Sequence, residues 1–153
     1  MGKIYGYCRT STAKQSIDRQ VTNILEKYPG ADIKKETFTG TTMEREKWQE
    51  LKRQVLHGDT IVFDEVSRMS RNAKEGMEEY EELFNKGINL VFLKEATLNT
   101  ENLRETQKIA LTGTEVDVIL EAINKYLIVL TRKQIEAAFK AAELEVEHLH
   151  RRT

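Results

Sequence analysis

KIYGYCRTSTAKQSIDRQVTNIL, residues 3–25, holds the switch that decides the fold. Lys3–Cys8 alternates and is rich in aromatics, which predicts a strand. Ile17, Val21, Ile24 and Leu25 then recur at helical spacing, and Pro29-Gly30 ends the helix. Between the two lies Arg9-Thr10-Ser11-Thr12, an arginine followed by three hydroxyl residues at a strand-to-helix junction. Either Ser11 simply caps the helix, or it is a nucleophile beside a fixed cation.

Moving outward, the same alternation repeats. Strands are expected at Ile33–Phe38, Thr60–Phe63 and Ile88–Leu93, with helices near Glu44–Leu56 and Ala73–Asn85 between them. The fold class expected is therefore α/β, a mostly parallel sheet of four to five strands flanked by helices. Glu95–Gly113 is expected to be a loop with a short helix near Leu103–Leu111. From Thr114, a candidate cap, no Gly or Pro interrupts the chain again. Val116, Leu120, Ile123, Leu127 and Leu130 step by four and three, and Ile135, Phe139, Ala142, Val146 and Leu149 continue after a five-residue phase shift. Such a helix, some forty residues long, would run about 60 Å. Its part near Val116–Leu130 can cover the sheet, and its far half must find another surface, as in a dimer helix or an arm. The organisation expected is a core over residues 1–113 and a long helix over 114–153.

Composition narrows the functional classes. The 153 residues suit one domain, 32% charged and 39% hydrophobic, with no apolar run long enough for a membrane span and no signal-peptide core. Cys8 is the sole cysteine, so no internal disulfide forms; a reducing cytoplasm and a core-filling role are expected. The net charge of -1 conceals an asymmetry: residues 1–72 carry 13 Lys/Arg against 10 Asp/Glu, and the remainder is acidic. A polyanion would meet the first half, or the Arg151-Arg152 end.

No dinucleotide fingerprint, phosphate loop, nucleophile elbow or zinc spacing is present. His57, His148 and His150 read as solvated surface residues, and none is placed as a base for Ser11. Arginine remains. Arg9 follows the first strand, Arg45 opens the second helix, and Ser67-Arg68-Met69-Ser70-Arg71 follows the third strand. In a parallel sheet these loops share one edge. Guanidinium groups gathered around a hydroxyl grip phosphate oxygens and stabilise charge on a phosphoryl centre. Taken singly, each arginine is equally a surface ion-pair partner.

The ordered motifs resemble the catalytic domain of the serine recombinases, the resolvase/invertase family. Tyr7-x-Arg9-x-Ser11-Thr12 with Gln15-Ser16 and Gln20 resembles its opening, Thr39 to Arg45 its Ser/Thr-rich loop, and Ser67 to Asn72 its arginine box. The likeness covers residues 3–93 and returns from Glu145 to Thr153. It implies Ser11 as the DNA-cleaving nucleophile, forming a 5′-phosphoserine link and a free 3′-hydroxyl. It also implies strand exchange between subunits, with double-stranded DNA as partner and a homodimer that becomes a tetramer in the active state. Arg9, Arg68 and Arg71 would bind phosphate, Arg45 would contribute positioning and charge, and Gln20, with Gln15, would support the site. Tyr7 would orient the cluster or simply pack as a strand aromatic. Neither a metal nor a nucleotide cofactor is implied, and a bacterial, phage or mobile-element origin is. Ser67 stands where the family usually has Asp, a role no hydroxyl can fill. Asp64 or Glu65 can supply the charge, or the Asp is dispensable. The ending at Arg151-Arg152-Thr153 suggests a catalytic domain cut from a longer recombinase, unable to read a DNA sequence alone. Two other classes stay open: a phosphate- or nucleotide-binding α/β domain, and a non-catalytic assembly module.

Overall fold

The computed structural model describes residues 2–10, 14–37, 45–70, 72–106 and 112–152, and for residues 10, 14–16, 106, 143 and 145–152 the backbone alone. Strand β1 spans Ile4–Thr10 and is followed by α1 (Lys14–Lys27), β2 (Asp32–Thr37) and α2 (Glu46–Gln54). Then come β3 (Thr60–Phe63), α3 (Ala73–Asn85), β4 (Asn89–Phe92), α4 (Thr100–Thr106) and α5 (Asp117–Arg152). The four strands form one sheet in the order β2-β1-β3-β4, every pair parallel.

Period-two alternation divides the side chains of β1 between two cores. Cys8 packs with Ile24 of α1 and Val62 of β3 on one face. Tyr5 and Tyr7 face the other way, into a larger core with Trp48 of α2, Phe63, Tyr80 of α3 and Phe92. There the aromatic rings form a connected row: Tyr7 to Trp48 at 5.0 Å, Trp48 to Phe63 at 5.7 Å, and Phe63 stacked on Phe92 at 5.2 Å. These separations suit tilted and offset ring pairs. Cys8 fills the core as expected, and burial, reinforced by nearby Asp64, pushes its thiol up to about 12. Among the described residues no helix is long and apolar enough to cross a membrane.

The structure corrects the sequence reading in two places. The short helix begins at Thr100, ahead of the expected Leu103, while residues 107–111 lie outside the described residues. Its start is tied to the edge of β4. Leu90 N–H donates to the Thr100 hydroxyl at 2.9 Å, and Phe92 N–H donates to Asn99 Oδ1 at 2.7 Å. Two side chains thus occupy an edge that would otherwise invite another strand.

The second correction concerns α5. The part expected to cover the sheet leaves Val116, Ile119, Ile123 and Leu130 exposed, whereas Ile135 and Phe139 are only 1% exposed. The five-residue phase shift therefore marks where the helix changes the surface it covers. Beyond it, Ile135 and Phe139 enter the main core, with Ala138 and Ala142 against them. The Val146 and Leu149 side chains lie outside the described residues. At the start of α5, the Asp117 carboxylate accepts from Thr112 N–H at 2.7 Å and Gly113 N–H at 2.8 Å, so it ties down the preceding turn instead of Thr114 capping by its side chain.

Gly76 explains how Phe139 fits. A Cβ there would lie 2.6 Å from two ring carbons of Phe139 and 3.0 Å from a third. Carbon atoms prefer about 3.5–4.0 Å. Gly76→Ala gains about 1 kcal/mol of helix propensity and meets an overpacking cost of about 1–3 kcal/mol. The expected result is a lower urea midpoint. A midpoint above wild type would show that α5 slides away from α3 at little cost.

Candidate active site

The strand order places a topological switch between β1 and β3, since α1 covers one face and α2 and α3 the other. The crevice beyond the carboxyl ends of those two strands is where open α/β sheets hold ligands. Pairing between β1 and β3 ends at Tyr7 with Phe63, while β1 continues along β2 to Arg9 with Glu36 and Thr10 with Thr37. Beyond the last β3 pair, a side chain takes over the ladder. Arg9 N–H donates to Gln20 Oε1 at 3.0 Å, and Gln20 Nε2 donates to the Arg9 carbonyl at 3.0 Å. Gln20 is 1% exposed, so its amide acts as a buried splint for the strand end that leads to Ser11.

Three of the expected arginines meet at this edge, each donating to backbone of a neighbouring segment. Arg9 continues the face of Tyr5 and Tyr7, is buried, and donates from Nη2 to the Ser67 carbonyl. Arg68 Nη1 donates to the Arg9 carbonyl at 3.4 Å, and Arg45 Nη2 donates to the Arg68 carbonyl at 3.5 Å. Arg45, at the cap of α2, also donates from Nε and Nη2 to the Tyr7 hydroxyl, each at 3.4 Å. The Tyr7 hydroxyl itself donates to Glu36 Oε2. Burial holds the Tyr7 phenol well above its ordinary pKa, despite the opposing charge of Arg45. Tyr7 is therefore a neutral bridge between Glu36 and Arg45.

Residues 4–144 match the protein-family model described as Resolvase, N terminal domain. The chain belongs to this family. A "Resolvase" of Clostridium perfringens (strain 13 / Type A) is 28% identical over 98 residues, covering 63% of this chain and 52% of the relative. The Transposon Tn917 resolvase of Enterococcus faecalis is 27% identical over 128 residues, covering 81% and 68%. For the Transposon Tn3 resolvase of Escherichia coli the values are 27% over 92 residues, 60% and 50%. The matched part thus spans about half the length of the Clostridium and Tn3 relatives. A solved resolvase family site-specific recombinase of Streptococcus pneumoniae aligns with a TM-score of 0.48 at 18% identity, over 88% of this chain and 93% of that one.

Within this resolvase domain Ser67 and Arg68 share one neighbouring carboxylate. The Ser67 hydroxyl donates to Glu65 Oε1 at 2.5 Å, and the same carboxylate pairs with Arg68 at 3.6 Å and Lys94 at 3.3 Å. Burial disfavours the charged form of Glu65, but Ser67, Arg68 and Lys94 outweigh it and hold the carboxyl below its usual value. Glu65, not Ser67, is the carboxylate that anchors Arg68. Asp64 is turned to Asn23 at 2.9 Å and Lys94 at 3.4 Å instead.

Other site residues escaped the sequence reading. Glu36 is the one buried residue of β2, and it also accepts from Lys47 N–H at 3.0 Å. A lone acid at a strand's carboxyl end, opposite Arg9, was the available signal. Trp48 and Glu79 flank Arg45: the guanidinium carbon lies 5.1 Å from the Trp48 ring centroid, and Nη1 lies 4.0 Å from Glu79 Oε1. Trp48 is visible one turn after Arg45, but nothing in sequence relates Glu79 to them. Ser11, Arg71 and the Thr39–Glu44 loop lie outside the described residues, as does the Gln15 side chain.

The splint is open to test. Gln20→Met keeps the side-chain length and removes both bonds to Arg9. A buried polar group deprived of its partner costs about 1–3 kcal/mol, so the urea midpoint should fall accordingly. An unchanged midpoint would mean that β1 holds its end without Gln20.

Proposed function

We propose that this chain is the catalytic domain of a site-specific DNA recombinase that uses Ser11 as its nucleophile. The observation carrying the reading is the convergence of Arg9, Arg45 and Arg68 at the sheet edge where β1 hands the chain to Ser11. Family membership supports the same assignment.

In this mechanism the Ser11 oxygen attacks a backbone phosphorus of double-stranded DNA. A P–O bond to serine forms as the bond to the 3′-oxygen breaks, leaving a 5′-phosphoserine link and a 3′-hydroxyl. Serine gives up one proton and the departing 3′-oxygen gains one. A diester replaces a diester, so the step reverses without an external energy source. The arginines stabilise the extra negative charge on the phosphoryl oxygens as attack proceeds. Arg9, Arg45 and Arg68 exchange backbone carbonyls for phosphate oxygens, and Arg71 joins them from the same loop. Gln20 fixes the strand end, and Gln15 supports the start of α1. Tyr7 holds Arg45, and the Ser67 carbonyl holds Arg9. In the bacterial cytoplasm, the partners would be DNA and further copies of this chain: a dimer at rest, a tetramer when strands are exchanged.

The division of labour proposed is a catalytic core over residues 1–113 and a long helix over 114–153 that assembles subunits and leads toward a DNA-binding region. Exposed Ile119, Ile123, Tyr126 and Leu130 support this, because steps of four, three and four form one apolar stripe on α5.

Two measurements test the proposal. On a nicked duplex carrying the target site of its element, wild type should form a covalent protein–DNA adduct, and Ser11→Ala should form none while still binding. An undiminished adduct from Ser11→Ala rules out Ser11, and binding with no adduct from either protein favours a plain phosphate-binding domain. For assembly, Ile119→Asp with Tyr126→Asp should weaken self-association in sedimentation by tenfold or more, since each buried apolar side chain contributes about 1.5–3 kcal/mol. A wild-type chain that stays monomeric at high concentration removes the stripe from the interface.

A further inference from the structure

Arg45 is held differently from the other two arginines. It lies over two adjoining aromatic rings, its guanidinium carbon 5.1 Å from the Trp48 centroid and 5.5 Å from that of Tyr7. Cations favour the faces of aromatic rings, most of all that of tryptophan. Trp48 is fully buried, and its indole N–H donates to Glu79 Oε2 on α3. The other Glu79 oxygen lies 4.0 Å from Arg45 Nη1, in a pair whose side chains are 12% and 15% exposed. One carboxylate therefore holds the ring beneath the guanidinium and sets a negative charge beside one end of the guanidinium itself. The opposite end of Arg45 reaches the Tyr7 hydroxyl and the Arg68 carbonyl.

We propose that Glu79, acting with the Trp48 indole, is a positioning residue for Arg45, orienting its planar donors toward an anion at the carboxyl edge of the sheet. This rests on the recombinase reading above for the identity of the anion, a DNA phosphate. Glu79 touches no reacting atom; it acts through Arg45. Burial raises the Glu79 carboxyl above its ordinary pKa although Lys52, Arg45 and Trp48 oppose that shift. A carboxylate kept in so unfavourable a setting is consistent with a specific partner. Had α2 and α3 needed only apolar adhesion, Trp48, Leu51, Tyr80 and Leu83 already supply it.

The sole tryptophan of the chain is Trp48, so its emission reports directly on the cation above it. The test titrates inorganic phosphate into the 153-residue chain and follows that emission in wild type, Arg45→Gln, Glu79→Gln and Glu79→Asp, with thermal melting of each. Glu79→Gln keeps an acceptor for the indole and the side-chain shape, and removes the charge facing Arg45. Phosphate is expected to change wild-type emission, and Arg45→Gln to abolish that response. Glu79→Gln should move its midpoint to about tenfold higher phosphate, the scale of one lost charge-assisted contact, with a melting temperature close to wild type. Glu79→Asp, whose carboxylate is drawn back by one methylene, should fall between the two. The proposal is overturned if Glu79→Gln titrates at the wild-type midpoint, or if wild type and Arg45→Gln respond alike, including not at all. Should Glu79→Gln not fold, Glu79→Asp decides alone: a higher midpoint supports the proposal and a wild-type midpoint overturns it. A missing Ser11 adduct would refute the recombinase reading, while the response of Arg45 to phosphate would stand on the titration alone.

Discussion

Three permanently charged guanidinium groups gather at one sheet edge, and holding them there constrains the rest of the site. The protein offsets the crowding with backbone carbonyls and with acids set behind the arginines. Arg9 takes the Ser67 carbonyl, Arg68 that of Arg9 and Arg45 that of Arg68, so each cation also ties one segment of the site to another. Glu65 lies behind Arg68, Glu79 behind Arg45, and Glu36 behind the Tyr7 hydroxyl on which Arg45 rests. The same bonds that hold the cations thus tie the segments of the edge together.

That arrangement depends on where β3 stops. Had β3 paired with β1 beyond Tyr7, the ladder would have occupied the backbone of Arg9 and the edge would close like any other strand end. Instead β3 ends at Phe63 and the chain turns through Asp64 and Glu65 into the single turn Val66–Arg68. The turn is pinned from below, where Val66 N–H donates to Glu95 Oε1 at 3.1 Å. Gln20 then carries the pairing that β3 gave up, and the space opened above it admits Arg68.

Much of the scaffold was legible in sequence because punctuation and periodicity agree there. The bounds of β3 and α3 match the expectation, as Gly58 turns the chain at positive φ and Asn72 caps α3 by accepting from Glu75 N–H at 2.8 Å. The meeting of Arg9, Arg45 and Arg68 was legible as well, because loops that follow the strands of a parallel sheet share an edge. Partners brought in by tertiary packing were not. Glu79 is one polar residue among many on α3, and its relation to Arg45 depends on how closely α2 and α3 pack over the sheet. Gly76 reads in sequence as a weak point in a helix, although its missing side chain is what admits Phe139.

The long helix shows why spacing alone misassigned its surfaces. Apolar steps of three and four state that a helix has a face, but not which body meets that face. Here the phase shift separates two obligations. Ile135 and Phe139 are committed to the core, fastening α5 to α3 through the Gly76 notch. Ile119, Ile123, Tyr126 and Leu130 stay outside it. α3 carries Glu79 as well as Gly76, so the helix that anchors α5 also supports Arg45. One helix thus joins the packing of α5 to the charge network at the sheet edge, with Phe139 seated at the joint.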